Sequence, residues 1–210
     1  MISILVGNTK GGCGKTSIAT NLAVALASAG RRVMLADADK QHSSLLWAGR
    51  RPAHVVPVVT DDWARMEQLK LPKGIDRLII DAPAAMRRGQ IEELVAMADI
   101  IIIPVLPSIF DEDGSRQFLA KLEDIKAVRK NRKTLALVGN RVRPTTRAAG
   151  RLDLFLNGIG HNVLTRLRDT QLYPEVAAVG LGLFDLHDKR TEVFKADWAP
   201  LISYIEEGVL

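Results

Sequence analysis

This sequence predicts a single α/β domain, a mostly parallel central sheet with helices on both faces. Short β-branched runs alternate with stretches of helical period along the whole chain. The runs are apolar from end to end, as strands buried on both faces are. A glycine-rich segment separates the first run from the first helix.

The strands expected on these grounds are Ile2–Val6, Arg32–Ala36, Val55–Val59, Leu78–Ile80, Ile100–Val105, Thr134–Val138 and Val163–Leu167. Helices are expected near Thr16–Ala29, Trp63–Leu69, Ile91–Met97, Gly114–Arg129, Thr146–Leu156, Gln171–Val179 and Thr191–Glu206. In the first helix Ile18, Leu22 and Leu26 recur every fourth residue, and Gly30 stands where it should stop. Neither repeat nor linker interrupts the pattern, so residues 1–210 read as one domain. Hydrophobic residues make up 47% and charged residues 25% of the 210, enough apolar surface for a real core, which excludes bulk disorder. The longest apolar run, Ile100–Leu106, contains Pro104 and falls far short of the ~20 residues a membrane helix needs. Met1–Val6 lacks a basic segment and runs into the glycine loop, unlike a signal peptide. One cysteine supports neither a disulfide framework nor a thiolate cluster within the chain. A cytosolic location is expected.

The segment after the first strand reads Gly7-Asn8-Thr9-Lys10-Gly11-Gly12-Cys13-Gly14-Lys15-Thr16-Ser17. Strand, glycine loop and helix form the context of a phosphate-binding loop, and hence of a P-loop NTPase fold. Glycines let backbone N–H groups turn inward, and the helix N-terminus adds partial positive charge. Lys15 is placed to reach the β- and γ-phosphates, and the Thr16 hydroxyl to ligate Mg²⁺. The alternative is a glycine-rich turn carrying a surface lysine. The usual first glycine of the pattern is replaced by Thr9, and a second lysine, Lys10, precedes the paired glycines.

Lys10-Gly11-Gly12-Cys13-Gly14-Lys15-Thr16 resembles the deviant Walker A box of the ParA/MinD ATPases, with ParA-type partition and positioning ATPases nearest in pattern. The resemblance implies that Lys10 crosses the interface of an ATP-dependent homodimer to contact the partner's nucleotide. Gly11, Gly12, Cys13, Gly14, Lys15, Thr16 and Ser17 would then line the nucleotide, and Lys10 and Lys15 would stabilise the transferring phosphate's charge. Asp37-Ala38-Asp39-Lys40-Gln41 is similar to the family's D-x-D-P-Q segment, with Lys40 in place of the proline, which should loosen the turn. By that resemblance Asp37 helps hold the magnesium shell and Asp39 orients the attacking water. Asp81, after the apolar Leu78-Ile79-Ile80, resembles a Walker B carboxylate supporting Mg²⁺. Its neighbour Ala82 removes a threonine hydroxyl usual in the family. Each aspartate could instead cap a helix. Asn140 and Arg141, after the strand Thr134–Val138, fall where the family contacts adenine, and an amide offers donor and acceptor together. Leu183-Phe184-Asp185 resembles the base-proximal region more weakly, and the likeness runs on to Trp198-Ala199-Pro200-Leu201.

The net charge of +5 is uneven. Arg129 to Arg168 holds ten Lys or Arg and one acid, Asp153, so +9 there leaves −4 for the rest. A solvated helical face and a polyanion-binding surface both fit such a run. ParA-type proteins bind DNA nonspecifically as ATP dimers, which favours the second and makes Arg141, Arg143, Arg147, Arg151, Arg166 and Arg168 the candidate DNA contacts. The resemblance further implies a ParB-like or adaptor protein that stimulates hydrolysis, a nucleoid-associated location, and cargo such as a plasmid, a chromosome or a protein assembly. The chain begins at the first strand, so no operator-reading extension is expected.

The tail Leu201–Leu210 carries Glu206 and Glu207 and no basic residue, which argues against a MinD-like membrane ATPase. An iron–sulfur carrier would need interface cysteines beyond Cys13. A ligase of the dethiobiotin-synthetase type shares the loop and stays open, while a nucleotide-gated module without turnover fits Lys10, Lys15 and Asp39 less well. Cys13 could be reactive, since loop N–H groups and Lys15 favour a thiolate, but it reads as incidental, at a position where the family tolerates many small residues. The three tryptophans read as packing residues, and the four histidines show no zinc spacing.

Overall fold

The computed structural model describes residues 1–65, 71–130 and 132–207. In chain order the elements are β1 (Ile2–Val6), α1 (Lys15–Ser28), β2 (Val33–Asp37), α2 (Ser43–Gly49), β3 (Val59–Asp62), β4 (Arg77–Asp81), α3 (Arg88–Met97), β5 (Ile100–Val105), α4 (Ile109–Glu123) and α5 (Lys126–Arg129). They continue as β6 (Thr134–Val142), α6 (Arg147–Gly158), β7 (Asn162–Arg168), α7 (Leu172–Ala178), a single 3-10 turn at Leu183–Asp185, α8 (Lys189–Ala196) and α9 (Ala199–Glu207).

The strands form one sheet in the order β3-β2-β4-β1-β5-β6-β7, and every pairing is parallel. Successive side chains of a strand face opposite ways, so each strand feeds two cores. Ile4, Val6, Leu35, Ile79, Ile100 and Ile102 pack with α1, Trp47, Trp198 and Ile205 on one face. Leu5, Met34, Ile80, Ile101 and Ile103 pack with Leu94, Phe118 and Leu152 on the other. This double burial is why the strands lack polar alternation. The expected mostly parallel sheet, covered on both faces, is thus what forms. Helix α1 is buried from Ile18 through Ala27. It closes in a Schellman motif, with Gly30 at φ +83° and N–H bonds from Gly30 to the Ala27 carbonyl and from Arg31 to that of Leu26.

Four expectations are corrected. The strand sought at Val55–Val59 begins only at Val59, because Pro57 has no N–H for a ladder; it runs on through Thr60, Asp61 and Asp62 as an edge strand. Trp63 starts no helix but is buried, its N–H on the Asp37 carbonyl and its indole on Asp61. The rest of that expected helix lies largely outside the described residues. The helix sought at Gly114–Arg129 starts at Ile109, where Asp111 and Glu112 occupy a first turn that favours acids, and it breaks at extended Ile125 into α4 and α5. The last helix is two, α8 and α9, parted at Asp197 and Trp198, with Pro200 in the first turn of α9 where it needs no donor. Helix α2 was missed. Around Lys40 the turn is held by the Gln41 N–H, which donates to Asp39 Oδ1 at 3.0 Å, and by the His42 N–H, which donates to the Asp39 carbonyl at 2.9 Å.

Candidate nucleotide site

The carboxyl ends of β1, β4 and β5 open where the strand order reverses, the place where open α/β sheets bind ligands. Gly12 (φ +76°) and Gly14 (φ +91°) take left-handed conformations that turn the loop into α1. At Gly14 a second constraint applies, since a Cβ would stand 2.2 Å from the Asn140 amide nitrogen. That amide donates to the Cys13 carbonyl at 2.8 Å. Asn8, buried and not singled out from the sequence, ties down the other side: its Nδ2 donates to the Pro104 carbonyl (2.9 Å) and Ser115 Oγ (3.0 Å), and its Oδ1 accepts the Lys10 N–H (3.2 Å).

The Lys15 ammonium curls into this cradle and donates to the Lys10 carbonyl at 3.0 Å, 4.0 Å from Cys13 Sγ. A buried ammonium resting on one neutral carbonyl is poised to trade it for an anion. The Lys10 side chain lies against α4, its Cδ 3.7 Å from where a Cβ on Gly114 would be. Gly11 and Gly12 are exposed at the loop's tip, and Thr16 and Ser17 open the helix. Cys13 is fully buried, and burial pushes its thiol pKa up against the pull of Lys15. The reactive thiol considered from sequence is therefore not what the fold makes.

Register places Asp37, Asp81 and Val6 side by side across β2, β4 and β1. The two buried carboxylates differ sharply. Asp37 accepts three backbone N–H groups, from Asp39 (3.0 Å), Ser44 (2.9 Å) and Leu45 (3.1 Å), and so caps α2. Neither oxygen of Asp81 has a hydrogen-bond partner among the described residues. Burial pushes its pKa up to about 7, the Asp37 charge adds to the rise, and the nearby Thr16 and Ser44 hydroxyls and Lys15 temper it without satisfying the carboxylate. An orphaned buried carboxylate beside a hydroxyl, behind a phosphate cradle, suits a hydrated Mg²⁺. Among the described residues no group of three or more His, Cys, Asp or Glu could cage a metal alone, so the ion would arrive with phosphates and water.

Asp39 is half-exposed and lines an open cleft of about 650 Å³ together with Lys40, Pro83 and Arg87. On the other flank of the loop, Gly12, Gly14, Ser17, Asn140, Tyr173 and Trp198 help enclose a cavity of about 250 Å³. Asn140 lies in a register break of β6, and Arg141 after it adopts φ +53°. The Asn140 amide is occupied by Cys13, and its oxygen by the Arg141 N–H at 3.0 Å. Asp169 and Tyr173, unremarked in the sequence, complete this wall; only their place after β7 could have pointed to them.

Of the six arginines proposed as DNA contacts, five meet acids. Asp169 takes Arg143 (2.7 Å) and Arg141 (3.6 Å), Glu112 takes Arg151 (3.2 Å), Asp153 takes Arg166, and Asp197 takes Arg168 (2.8 Å). Arg147 is exposed and makes no ion pair among the described residues. No described helix is long and apolar enough to cross a membrane.

A family model described as the CobQ/CobB/MinD/ParA nucleotide binding domain matches residues 4–184. The maintenance of carboxysome distribution protein A of Halothiobacillus neapolitanus is 33% identical over 190 residues, 88% of this chain and 87% of that protein. A Cyanothece McdA(D38A)–ATP complex superposes with a TM-score of 0.73 at 16% identity, covering 96% of both chains. The Aquifex aeolicus MinC:MinD cell division complex gives 0.76 at 16% identity, covering 100% of this chain and 97% of that one. At such identity the last two speak for the fold.

Proposed function

Because the chain belongs to the CobQ/CobB/MinD/ParA nucleotide-binding family, we propose that it hydrolyses ATP and uses the cycle to position an intracellular cargo over DNA. The observation that carries this reading is the division of labour between two lysines of one loop. Lys15 is folded into the phosphate cradle, its ammonium on the Lys10 carbonyl, while the Lys10 side chain lies against Gly114 of α4. Lys15 exchanges the Lys10 carbonyl for β- and γ-phosphate oxygens, while N–H groups of Gly11 through Ser17 meet the remaining phosphate charge. Thr16 and Asp81 would hold a hydrated Mg²⁺, which would offset phosphate charge, and Asp37 supports them from behind by fixing α2 and the Asp39 N–H. Asp39 orients the attacking water. Lys10 reaches the nucleotide of a second copy, so ATP favours a homodimer and hydrolysis dissolves it. Asn140 and Arg141 shape the base side of the site.

Dimerisation doubles the basic surface presented to DNA, whose phosphates supply nonspecific, salt-dependent affinity. A ParB-like or adaptor protein then stimulates turnover at the nucleoid. The likeness to a carboxysome distribution protein over 88% of this chain supports a protein assembly as the cargo.

The test is DNA binding by the full chain with ATP, with ADP and without nucleotide, alongside ATP turnover. Tight binding only with ATP, and an Asp39→Ala variant that stays on DNA while hydrolysis stops, are expected. Binding indifferent to nucleotide, or none, would overturn the coupling.

A further inference from the structure

Five of the six arginines first nominated for the DNA surface share their charge with a carboxylate. Another group of cations faces none among the described residues. Between Lys126 and Lys133 the chain holds Lys126, Arg129, Lys130, Arg132 and Lys133 and no acid. Lys126, Arg129, Lys130 and Arg132 are exposed and form no ion pair among the described residues. Lys133 is half-buried and donates to the Ala96 carbonyl at 3.0 Å, which fixes the end of this segment against α3. The acids nearest in sequence are Glu123, held by His161 at 2.8 Å, and exposed Asp124.

Lys126, Arg129 and Lys130 are spaced i, i+3 and i+4 on and just beyond α5, so their side chains share one face. Like charges so placed repel, and the helix they sit on has only four residues. The cluster therefore weakens its own element and is relieved by an external anion. It borders an open groove of about 620 Å³ that Glu123, Arg129, Lys133, His161, Asn162 and Tyr204 help line, a polar trough whose acid is held by His161. The whole arrangement stands at the start of β6, the end of the sheet away from the phosphate loop.

We propose that the α5–β6 cluster of Lys126, Arg129, Lys130 and Arg132 is the protein's duplex-DNA backbone site. Two arginine forks and two ammonium groups within seven residues of chain supply the donors that a run of phosphodiesters needs, each strand presenting one charge per ~3.4 Å of axis. A lipid surface fits less well, because the cluster offers no apolar side chain to insert: Val128, between the cations, is buried. Since the site lies at the far end of the sheet from the nucleotide, ATP acts on it by setting how many such clusters one particle carries.

This inference rests on the DNA-binding reading above, and the experiment separates the two. The full chain and a Lys126→Gln, Arg129→Gln, Lys130→Gln, Arg132→Gln variant are titrated with ATP against a fluorescent mixed-sequence duplex, at salt from about 50 to about 200 mM. ATP turnover without DNA, which these residues do not touch, should be unchanged and reports that the variant is folded. The expected result is at least a tenfold loss of affinity and a slope of log K against log salt shallower by about 3 to 4, the loss of four phosphate contacts. An unchanged slope in a variant that still hydrolyses ATP overturns this site and leaves the DNA reading standing. If the parent chain binds no duplex in any nucleotide state, the DNA reading itself fails. Cluster-dependent binding to phosphatidylserine vesicles in place of DNA would overturn both.

Discussion

Asn140 braces the phosphate loop from outside it: its side-chain amide donates to the Cys13 carbonyl at 2.8 Å and closes over Gly14, leaving no room there for a Cβ. The bond joins the end of β6 to the turn that feeds α1, so base-side and phosphate-side walls are built as one unit.

Removing that brace should loosen the cradle before any nucleotide contact is lost. Asn140→Ala leaves the buried Cys13 carbonyl unsatisfied, at a cost of about 1–3 kcal/mol. Part of this should appear as weaker ATP binding, by roughly tenfold per 1.4 kcal/mol. Gly14→Ala should be worse, since it combines φ +91° with the clash against Asn140. Titration with a fluorescent ATP analogue checks both. Unaltered affinity in Asn140→Ala would mean that Asn8 holds the loop alone.

Asp81 should make the nucleotide-free protein sensitive to pH. Its folded pKa of about 7 lies above the ordinary 3.8, so between those values the folded chain binds a proton that the unfolded chain releases. Stability is therefore greatest below about pH 4 as far as this group is concerned, and falls as pH rises toward 7, by at most about 1.4 kcal/mol per unit. Asp81→Asn should flatten that slope and stabilise the empty protein at neutral pH, while removing the magnesium dependence of nucleotide binding. Urea denaturation of both proteins across the range measures the difference. Parallel curves would show that another group carries the dependence.

Much of this site is legible in the chain because its spacing is local. Gly11 through Thr16 follow one another between a strand and a helix, and Asp81 ends an apolar run. What could not be read is the set of partners supplied from a distance. Arg151 meets Glu112 from 39 residues away, Arg143 meets Asp169 from 26, and Arg168 meets Asp197 from 29, so a charge count along one segment overstated its free cations. Helix α2 was hidden for a related reason. Its seven residues show little periodicity, and its N-terminus is secured from a distance by Asp37, for which the sequence left a metal role and a helix cap both open.

Cys13 should behave as an inert core thiol. It is fully buried and its pKa is raised, so the thiolate required for alkylation is scarce and unreachable near neutral pH. Iodoacetamide should label the native chain far more slowly than the urea-unfolded one. Comparable rates would mean that the loop opens readily without nucleotide.

Arg168 separates a structural arginine from a DNA contact. Its guanidinium grips Asp197 through Nε at 2.9 Å and Nη2 at 2.8 Å, donates to the Val193 carbonyl at 3.0 Å, and lies over the Phe194 ring. Asp197 also accepts the Arg168 backbone N–H at 3.2 Å, so the pair staples β7 to the junction of α8 and α9. The arginine side chain is 36% exposed but the carboxylate only 12%, so truncating the arginine strands a largely buried charge. Arg168→Ala should therefore lower the melting temperature by several degrees, at about 2–4 °C per kcal/mol for a chain of this size. DNA affinity should lose none of its salt slope, because the charge removed was already neutralised within the fold. Arg168→Lys should recover part of the stability, since one ammonium can meet Asp197 but cannot reproduce the fork. A shallower salt slope with an unchanged melting temperature would instead return Arg168 to the DNA surface.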